Sequence, residues 1–190
     1  MTADPVLEAI LTRRSCVRLT GPAPDRDDLI DLIQASATAP DHGLIRPWRL
    51  IILEGDDRQV LGKAMRDAAA DPEQGDRAAT RPLRAPLLLS IVFCPERDHP
   101  TVREWEQLAA VAGMAQTLQI LLHSRGWGTI WRTGSIVEAP QVREYLELTA
   151  TEQLLGWLYI GTSPTGAPIP VRKPVDVVSR ISRPRHAARV

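Results

Sequence analysis

Residues 108–122 read LAAVAGMAQTLQILL. No proline and no charge interrupts the run. Apolar residues fall on nearly every side of a 3.6-residue period, so the spacing predicts a helix that is apolar almost all round. With its flanks the helix is expected over about Thr101 to Arg125, stopped by Gly126 in the position that follows a C-cap. It is too short and too rich in Gln to span a bilayer. A helix without a polar face is buried on most sides, and one modest domain rarely encloses it fully. Packing against a second copy of the chain would explain the pattern.

On the N-terminal side, PLLLSIVFCP reads as a buried strand between prolines. Before it, ADPEQGDRAATRPLRAP is polar and turn-rich, a surface excursion with room for a short helix. Asp56 to Ala70 forms a helix with Val60, Leu61, Ala64 and Met65 on one face, and WRLIILEG is a strand ending at Gly55. Asp25 opens another helix, with Leu29, Ile30, Leu32 and Ile33 facing inward, which stops before Pro40. The first helix starts with Asp4 as cap and Pro5 at the first turn, and Val6, Leu7, Ile10 and Leu11 make its apolar stripe.

On the C-terminal side, GTIWRTG is a short strand entering a turn. Ala139 to Leu146 is a short helix, and QLLGWLYIGTS is a strand. The tail from Pro164 to Val190 is proline-rich and basic without an apolar period, and is expected to lie along another surface. Mixed helices and strands give an α+β or α/β sandwich. The 190 residues favour one domain over 1–190.

An apolar fraction of 44% supplies a core, and 24% charged residues suits a soluble chain. With 23 basic and 23 acidic residues the formal net charge is zero, which argues against a broad nucleic-acid footprint. Asp4 and Glu8 interrupt the start, so no signal peptide is expected. Cys16 and Cys94 lack ligand spacing, and no metal site is expected. Cys94 reads as core. Cys16, after Arg-Arg-Ser, reads as packing or as a neighbour of a site. A reduced cytoplasmic protein with no membrane partner is the economical expectation.

Four stretches are rich in groups that touch ligands. TRRSCVR places Arg13, Arg14 and Ser15 at a helix end, where cations suit the dipole and where two guanidinium groups and a hydroxyl also make an anion clamp. APDHGLIRPW brackets Asp41, His42 and Arg46 between prolines. His42 reads as a surface residue or a ligand contact, Arg46 as a solvated charge or a ligand contact, and Trp48 as core. RGWGTIWRTGS combines three glycines with Trp131, Arg132 and Thr133. It is either a tight structural turn or a backbone approach to a flat ligand, and it lacks the dinucleotide fingerprint. IPVRKPVDVV carries Arg172 and Lys173.

In this order the four stretches resemble the nitroreductase family of FMN-dependent oxidoreductases, and its compact bacterial members most of all. The resemblance runs from LTRRSCVRLTGPAP through ATAPDHGLIRPWRLIILEG, RAPLLLSIVF, WGTIWRTG and LLGWLYIGTSP to RKPVDVV. It implies an α+β sandwich with a mostly antiparallel central sheet flanked by helices. It also implies an intertwined homodimer with FMN at the interface, and a tail over 164–190 that packs on the partner. By this resemblance Arg13, Arg14 and Ser15 hold the FMN phosphate and ribityl chain, joined by Arg172. Asp41 and His42 match positions that reach the partner's flavin. Trp131, Arg132 and Thr133 match the turn along the ring edge near N5. Thr38 stands where compact members carry a basic residue. Leu44 and Arg46 stand where the family often has Asn and Gln, with Arg46 beside the ring.

The implied activity is an NAD(P)H oxidoreductase. Flavin N5 takes a hydride from the nicotinamide and passes electrons to a nitro- or quinone-type acceptor by a ping-pong scheme. No protein residue is expected to be the catalytic acid or base, since the cofactor carries the chemistry. Two alternatives stay open: a flavin-binding protein with little turnover, and another FMN-dependent dehydrogenase or dehalogenase on the same fold.

Overall fold

The computed structural model describes residues 4–164 and 172–183. The tail expectation for 165–171 and 184–190 lies outside the described residues.

Asp4 caps α1 (Pro5–Thr12), its carboxylate accepting from the N–H groups of Val6 and Leu7. Asp25 caps α2 (Arg26–Ser36) through the Asp28 N–H. Strand β1 (Trp48–Glu54) leads into α3 (Asp57–Asp67), shorter at both ends than expected. The polar excursion folds into α4 (Pro72–Ala79), capped by Asp71, and a 3₁₀ turn over Arg81–Arg84. It is followed by β2 (Leu87–Phe93). The long helix α5 runs over Glu104–Ser124, starting three residues later than its apolar pattern suggested because Glu106 closes a capping box on the Arg103 N–H. Then come β3 (Gly128–Arg132), α6 (Pro140–Tyr145) and β4 (Gln153–Gly161).

The four strands form one sheet in the order β1-β2-β4-β3, every pairing antiparallel. Every residue of the central β2 is buried, which is why its sequence is apolar apart from the buried Ser90 and does not alternate. Leu88 and Val92 face one cluster with Leu61 and Met65 of α3 and Val142 of α6. Leu87, Leu89, Ile91 and Phe93 face the other, with Leu29 and Leu32 of α2 and Val111, Met114, Leu118 and Leu122 of α5. The result is a helix–sheet–helix sandwich, as the sequence and the resemblance implied.

Gly156 keeps the two faces in register. Its φ of +113° lets β4 bulge, so that Leu154 and Trp157, three residues apart, face the same cluster. A Cβ there would meet the Arg132 carbonyl oxygen at 2.2 Å. At the same end of the sheet, Arg49 donates to both oxygens of Glu152 at 2.6 and 3.0 Å, and the Cys94 thiol donates to the same carboxylate at 3.4 Å. Arg49 holds Glu152 at about 2. Burial, then Glu152, pushes Cys94 up to about 11, so this half-buried thiol stays protonated.

Several apolar residues expected inward face outward. Val6, Leu7, Ile10 and Leu11 of α1 are all exposed, as are Ile30 of α2 and Val60 of α3. On α5 the buried stripe includes Ala110, Val111, Met114, Leu118 and Leu122, while Trp105 is 70% exposed and Leu108 lies open beside it. The apolar period identified real faces. It does not say whether the same chain covers them.

Candidate functional site

The α1 C-terminus turns sharply at Arg13, and a parallel bridge joins Ser15 to Thr129 of β3, with the Cys16 N–H donating to the Thr129 carbonyl at 2.8 Å. That bridge brings two of the four stretches together. Trp131 to Thr133 lie two to four residues further along, roughly 7–13 Å at strand spacing. The third stretch arrives from the C-terminal segment, where Arg172 donates to the Arg13 carbonyl at 2.6 Å. Cys16 is half-buried, with the Ser163 hydroxyl donating to its sulfur at 3.0 Å, which is a packing position next to the site.

Arg13, Arg14 and Arg172 therefore crowd one spot. Arg14 donates to the carbonyls of Leu11 and Arg13. Arg13 is pushed below its ordinary value by burial, then by Arg172, then by Arg14. Its Nη1 atom is buried with no hydrogen-bond partner among the described residues. A buried donor left unpaired costs about 1–3 kcal/mol, and neighbouring guanidinium groups add repulsion. An anion of phosphate size, presenting several oxygens, relieves both.

Beside the Trp131–Thr133 turn opens a cavity of about 650 Å³. Four arginines line it, Arg77, Arg81, Arg84 and Arg132, and no carboxylate does. Arg77 pairs with Glu73 one turn earlier on α4. Trp157 and Tyr159 supply aromatic surface, and the Arg132 guanidinium sits 5.5 Å above the Tyr159 ring. The Arg132 Nε is buried without a partner among the described residues. Burial pushes the Tyr159 phenol up, against the opposing charges of Arg132, Arg84 and Arg81. Trp131 is anchored by its indole N–H to the Leu155 carbonyl at 3.0 Å, and Thr133 is exposed at the mouth, before Gly134 with φ +127°. The aromatic lining suits a ring, and the charge suits an electron-rich edge.

Arg77, Arg81 and Arg84 were not singled out from the sequence. The available signal was the set of small residues around them. At Gly62 a Cβ would meet the Ala79 carbonyl oxygen at 2.3 Å, and Gly75 and Ala78 are buried. These let α4 pack tightly on α3 and set Arg77, with Arg81 and Arg84 of the following 3₁₀ turn, along the cavity.

The fourth stretch lies elsewhere. Asp41 clamps the corner by accepting from the Arg46 N–H at 2.6 Å, while its Oδ1 is buried and unpartnered among the described residues. Gly43, Leu44 and Arg46 all take positive φ, 78°, 53° and 52°, and for Leu and Arg that conformation is strained by roughly 1–2 kcal/mol each. Asn at the Leu44 position would tolerate it better. The Arg46 side chain is exposed. Thr38 bonds back to the Ala35 carbonyl at 2.8 Å and ends α2. The His42 Nδ1 lies 3.0 Å from the Glu106 carboxylate at the start of α5. Glu106 is held below the usual carboxylate range by the Arg103 N–H, then by His42. The arginine anchor, by contrast, sits near His123 at the other end of the same helix, where Thr12 Oγ1 and His123 Nε2 are 2.8 Å apart. From Glu106 to His123 is seventeen residues of α5, roughly 25 Å. The structure thus unites three stretches in one chain and keeps the corner a helix length away. Among the described residues no cluster of His, Cys, Asp and Glu suits a metal, and no helix is long and apolar enough to cross a membrane.

Residues 10–162 match the model of the nitroreductase family. The chain is 35% identical over 160 residues to "Putative NAD(P)H nitroreductase YdjA" of Escherichia coli (strain K12), covering 82% of this chain and 87% of that one. It is 25% identical over 180 residues to "Putative NAD(P)H nitroreductase YfhC" of Bacillus subtilis (strain 168), covering 90% and 91%. Among solved structures, the nitroreductase-like family protein from Bacillus cereus superposes with a TM-score of 0.83 at 25% identity, over 98% of this chain and 99% of that one. The FMN and NADPH-dependent nitroreductase NfnB from sphigopyxis sp. strain HMH shares the fold, with a TM-score of 0.73 at 20% identity over 95% and 99%. By its sequence match over most of its length and by its fold, the chain belongs to the nitroreductase family.

Proposed function

We propose that the protein is an FMN-dependent NAD(P)H oxidoreductase acting on nitro- or quinone-type acceptors by a ping-pong scheme. The observation that carries this reading is the buried Arg13 Nη1, without a hydrogen-bond partner among the described residues, beside Arg14 and Arg172, one strand segment from an arginine-lined cavity. These residues fit FMN. Arg13, Arg14, Ser15 and Arg172 would hold the phosphate and ribityl chain. Trp131 to Thr133 would flank the ring, with Arg81, Arg84 and Arg132 toward its electron-rich edge. Bound FMN would supply the two-electron chemistry that links hydride from NAD(P)H to reduction of the acceptor. The protein's part is to bind and orient it. Its arginines also place positive charge where the reduced cofactor carries negative charge, which favours reduction.

The functional unit in this reading is a homodimer with two shared sites. Its support is the open apolar surface of α1 and of the Trp105–Leu108 side of α5, together with exposed Val175, Val177, Val178 and Ile181 in the tail. The distance along α5 supports it too. Asp41 and His42 are too far from their own chain's arginine anchor to share one flavin with it. A two-fold axis that packs one α5 against another, antiparallel, sets each corner beside the other chain's anchor.

The test is anaerobic reduction of the purified protein. Bleaching of the flavin colour by NADH or NADPH, and its return on adding a nitroaromatic or quinone, is the expected result. A yellow protein that neither nucleotide bleaches would instead be a flavin binder with little turnover, and a colourless protein that takes up no FMN would end the reading altogether.

A further inference from the structure

Resting on the assignment of Arg13 and Arg172 to the FMN phosphate, we propose that His123 is a further member of that anchor and takes up a proton when the phosphate binds.

His123 lies in the last turn of α5 and packs on the end of α1. The Thr12 hydroxyl carries one proton, and the Glu8 carbonyl accepts it at 2.7 Å. Toward the imidazole, Thr12 Oγ1 is therefore the acceptor, and His123 Nε2–H donates to it at 2.8 Å. This leaves the lone pair on Nδ1, with no hydrogen-bond partner for that atom among the described residues. Nδ1 is the atom that gains a proton when the ring becomes cationic.

The charges acting on the ring come from the segment that follows α1. Burial, then Arg13, then Arg14, hold His123 below its ordinary value, and no carboxylate is among the groups that shift it. Glu8 contributes its backbone carbonyl through Thr12, and Arg172 rests on Arg13. With the anchor empty, the imidazole is neutral in a cationic surrounding. A phosphate dianion offsets the positive charge of Arg13 and Arg14 that acts on the ring and so makes protonation less costly. The carbonyl end of α5 also favours a cation in its last turn. Protonated at Nδ1, His123 adds one positive charge and one donor beside the arginines, and Thr12 keeps the ring orientation through Nε2.

The linkage has a definite sign. A group neutral in the empty site and protonated in the filled one makes binding tighten as pH falls. The gain begins as pH drops below the filled-site value and levels off below the empty-site value, which lies under 6.5. Flavin-free full-length protein is titrated with FMN by calorimetry in two buffers of different ionisation enthalpy. The pH is set at about 7.5, where the phosphate, with a second ionisation near 6, is a dianion on its own. Wild type is expected to take up a fraction of a proton per FMN and His123→Gln none. The Gln variant is expected to bind FMN about ten-fold more weakly at that pH, the gap closing as pH is raised. His123→Lys, a permanent cation, restores the affinity without proton uptake. Equal uptake and equal affinity in wild type and His123→Gln would overturn the inference. So would zero uptake by wild type, a result that needs no variant to fold. Weak FMN binding by Arg13→Met with unaltered binding by His123→Gln would remove His123 alone. Full FMN binding by both Arg13→Met and Arg172→Met would remove the anchor assignment and this inference with it.

Discussion

Replacing Arg13 by Met is expected to move stability and cofactor affinity in opposite directions. In the flavin-free chain Arg13 holds a buried Nη1 without a partner among the described residues and lies beside two like charges. An unpaired buried donor costs about 1–3 kcal/mol. Met keeps the unbranched apolar stem that packs in the site and drops the charge. A net gain of about 1 kcal/mol follows, which for a chain of this size raises the melting temperature by about 2–4 °C. The loss falls on the holoprotein. A charge-assisted hydrogen bond to phosphate contributes about 1.5–3 kcal/mol, so the FMN Kd rises by about one to two orders of magnitude. Calorimetric melting of flavin-free protein gives the first number, and quenching of FMN fluorescence on titration gives the second. A variant that melts several degrees lower and binds FMN normally would refute the reasoning. Arg13 would then be a structural residue whose carbonyl, and not its guanidinium, organises Arg172.

Two further outcomes test how the fold supports the site. Gly156→Ala places a Cβ against the Arg132 carbonyl at a φ that Ala rarely adopts. It is expected to destabilise the protein by about 2 kcal/mol or more and to weaken FMN binding by shifting the Trp131–Thr133 turn, as read by denaturant unfolding and titration; an unchanged protein would mean that β4 relaxes without moving β3. Glu152→Gln removes a carboxylate held at about 2 instead of 4.5 by Arg49. Its contribution is fully present above 4.5 and is lost as pH falls through about 2, so the variant should be less stable by about 1 kcal/mol near neutral pH, with the difference shrinking through that acid window in pH-dependent melting.

Much of the fold was legible because local signals carry it. Asp4 before Pro5, Asp25, the stop before Pro40 and Gly126 after the long helix mark element ends that Asp caps and a positive φ require. The apolar run of β2, broken only by Ser90, identified the central strand. What was not legible depends on what lies opposite. The stripe of α1 is apolar by period, yet Val6, Leu7, Ile10 and Leu11 are open in the single chain, since periodicity names a face and not its partner. Ile30 and Val60 fail for the same reason. Within the proposed site, Arg13, Ser15 and Arg172 stand out in the sequence because their segments are distinctive. Arg77, Arg81 and Arg84 were hidden, since arginines in a polar, turn-rich stretch read as solvated until the packing of Gly62 on Ala79 sets that stretch along the cavity. No local signal marks His123 in the sequence, and only the fold brings it to Thr12.

The claim that one flavin site is assembled from two chains is tested most directly by a mixed dimer. Arg13→Met chains are paired with His42→Ala chains, the heterodimers are isolated with two affinity tags, and FMN is titrated in. If the corner serves the partner, one site carries both defects and the other carries neither. The titration should then show one site of wild-type affinity and one severely weakened, and the nitroreductase activity should be about half that of the parent dimer. Two sites equally impaired, each missing one residue, would mean that Arg13 and His42 of the same chain face the same flavin. The helix length that separates them along α5 would then have been bridged within one subunit, contrary to the account.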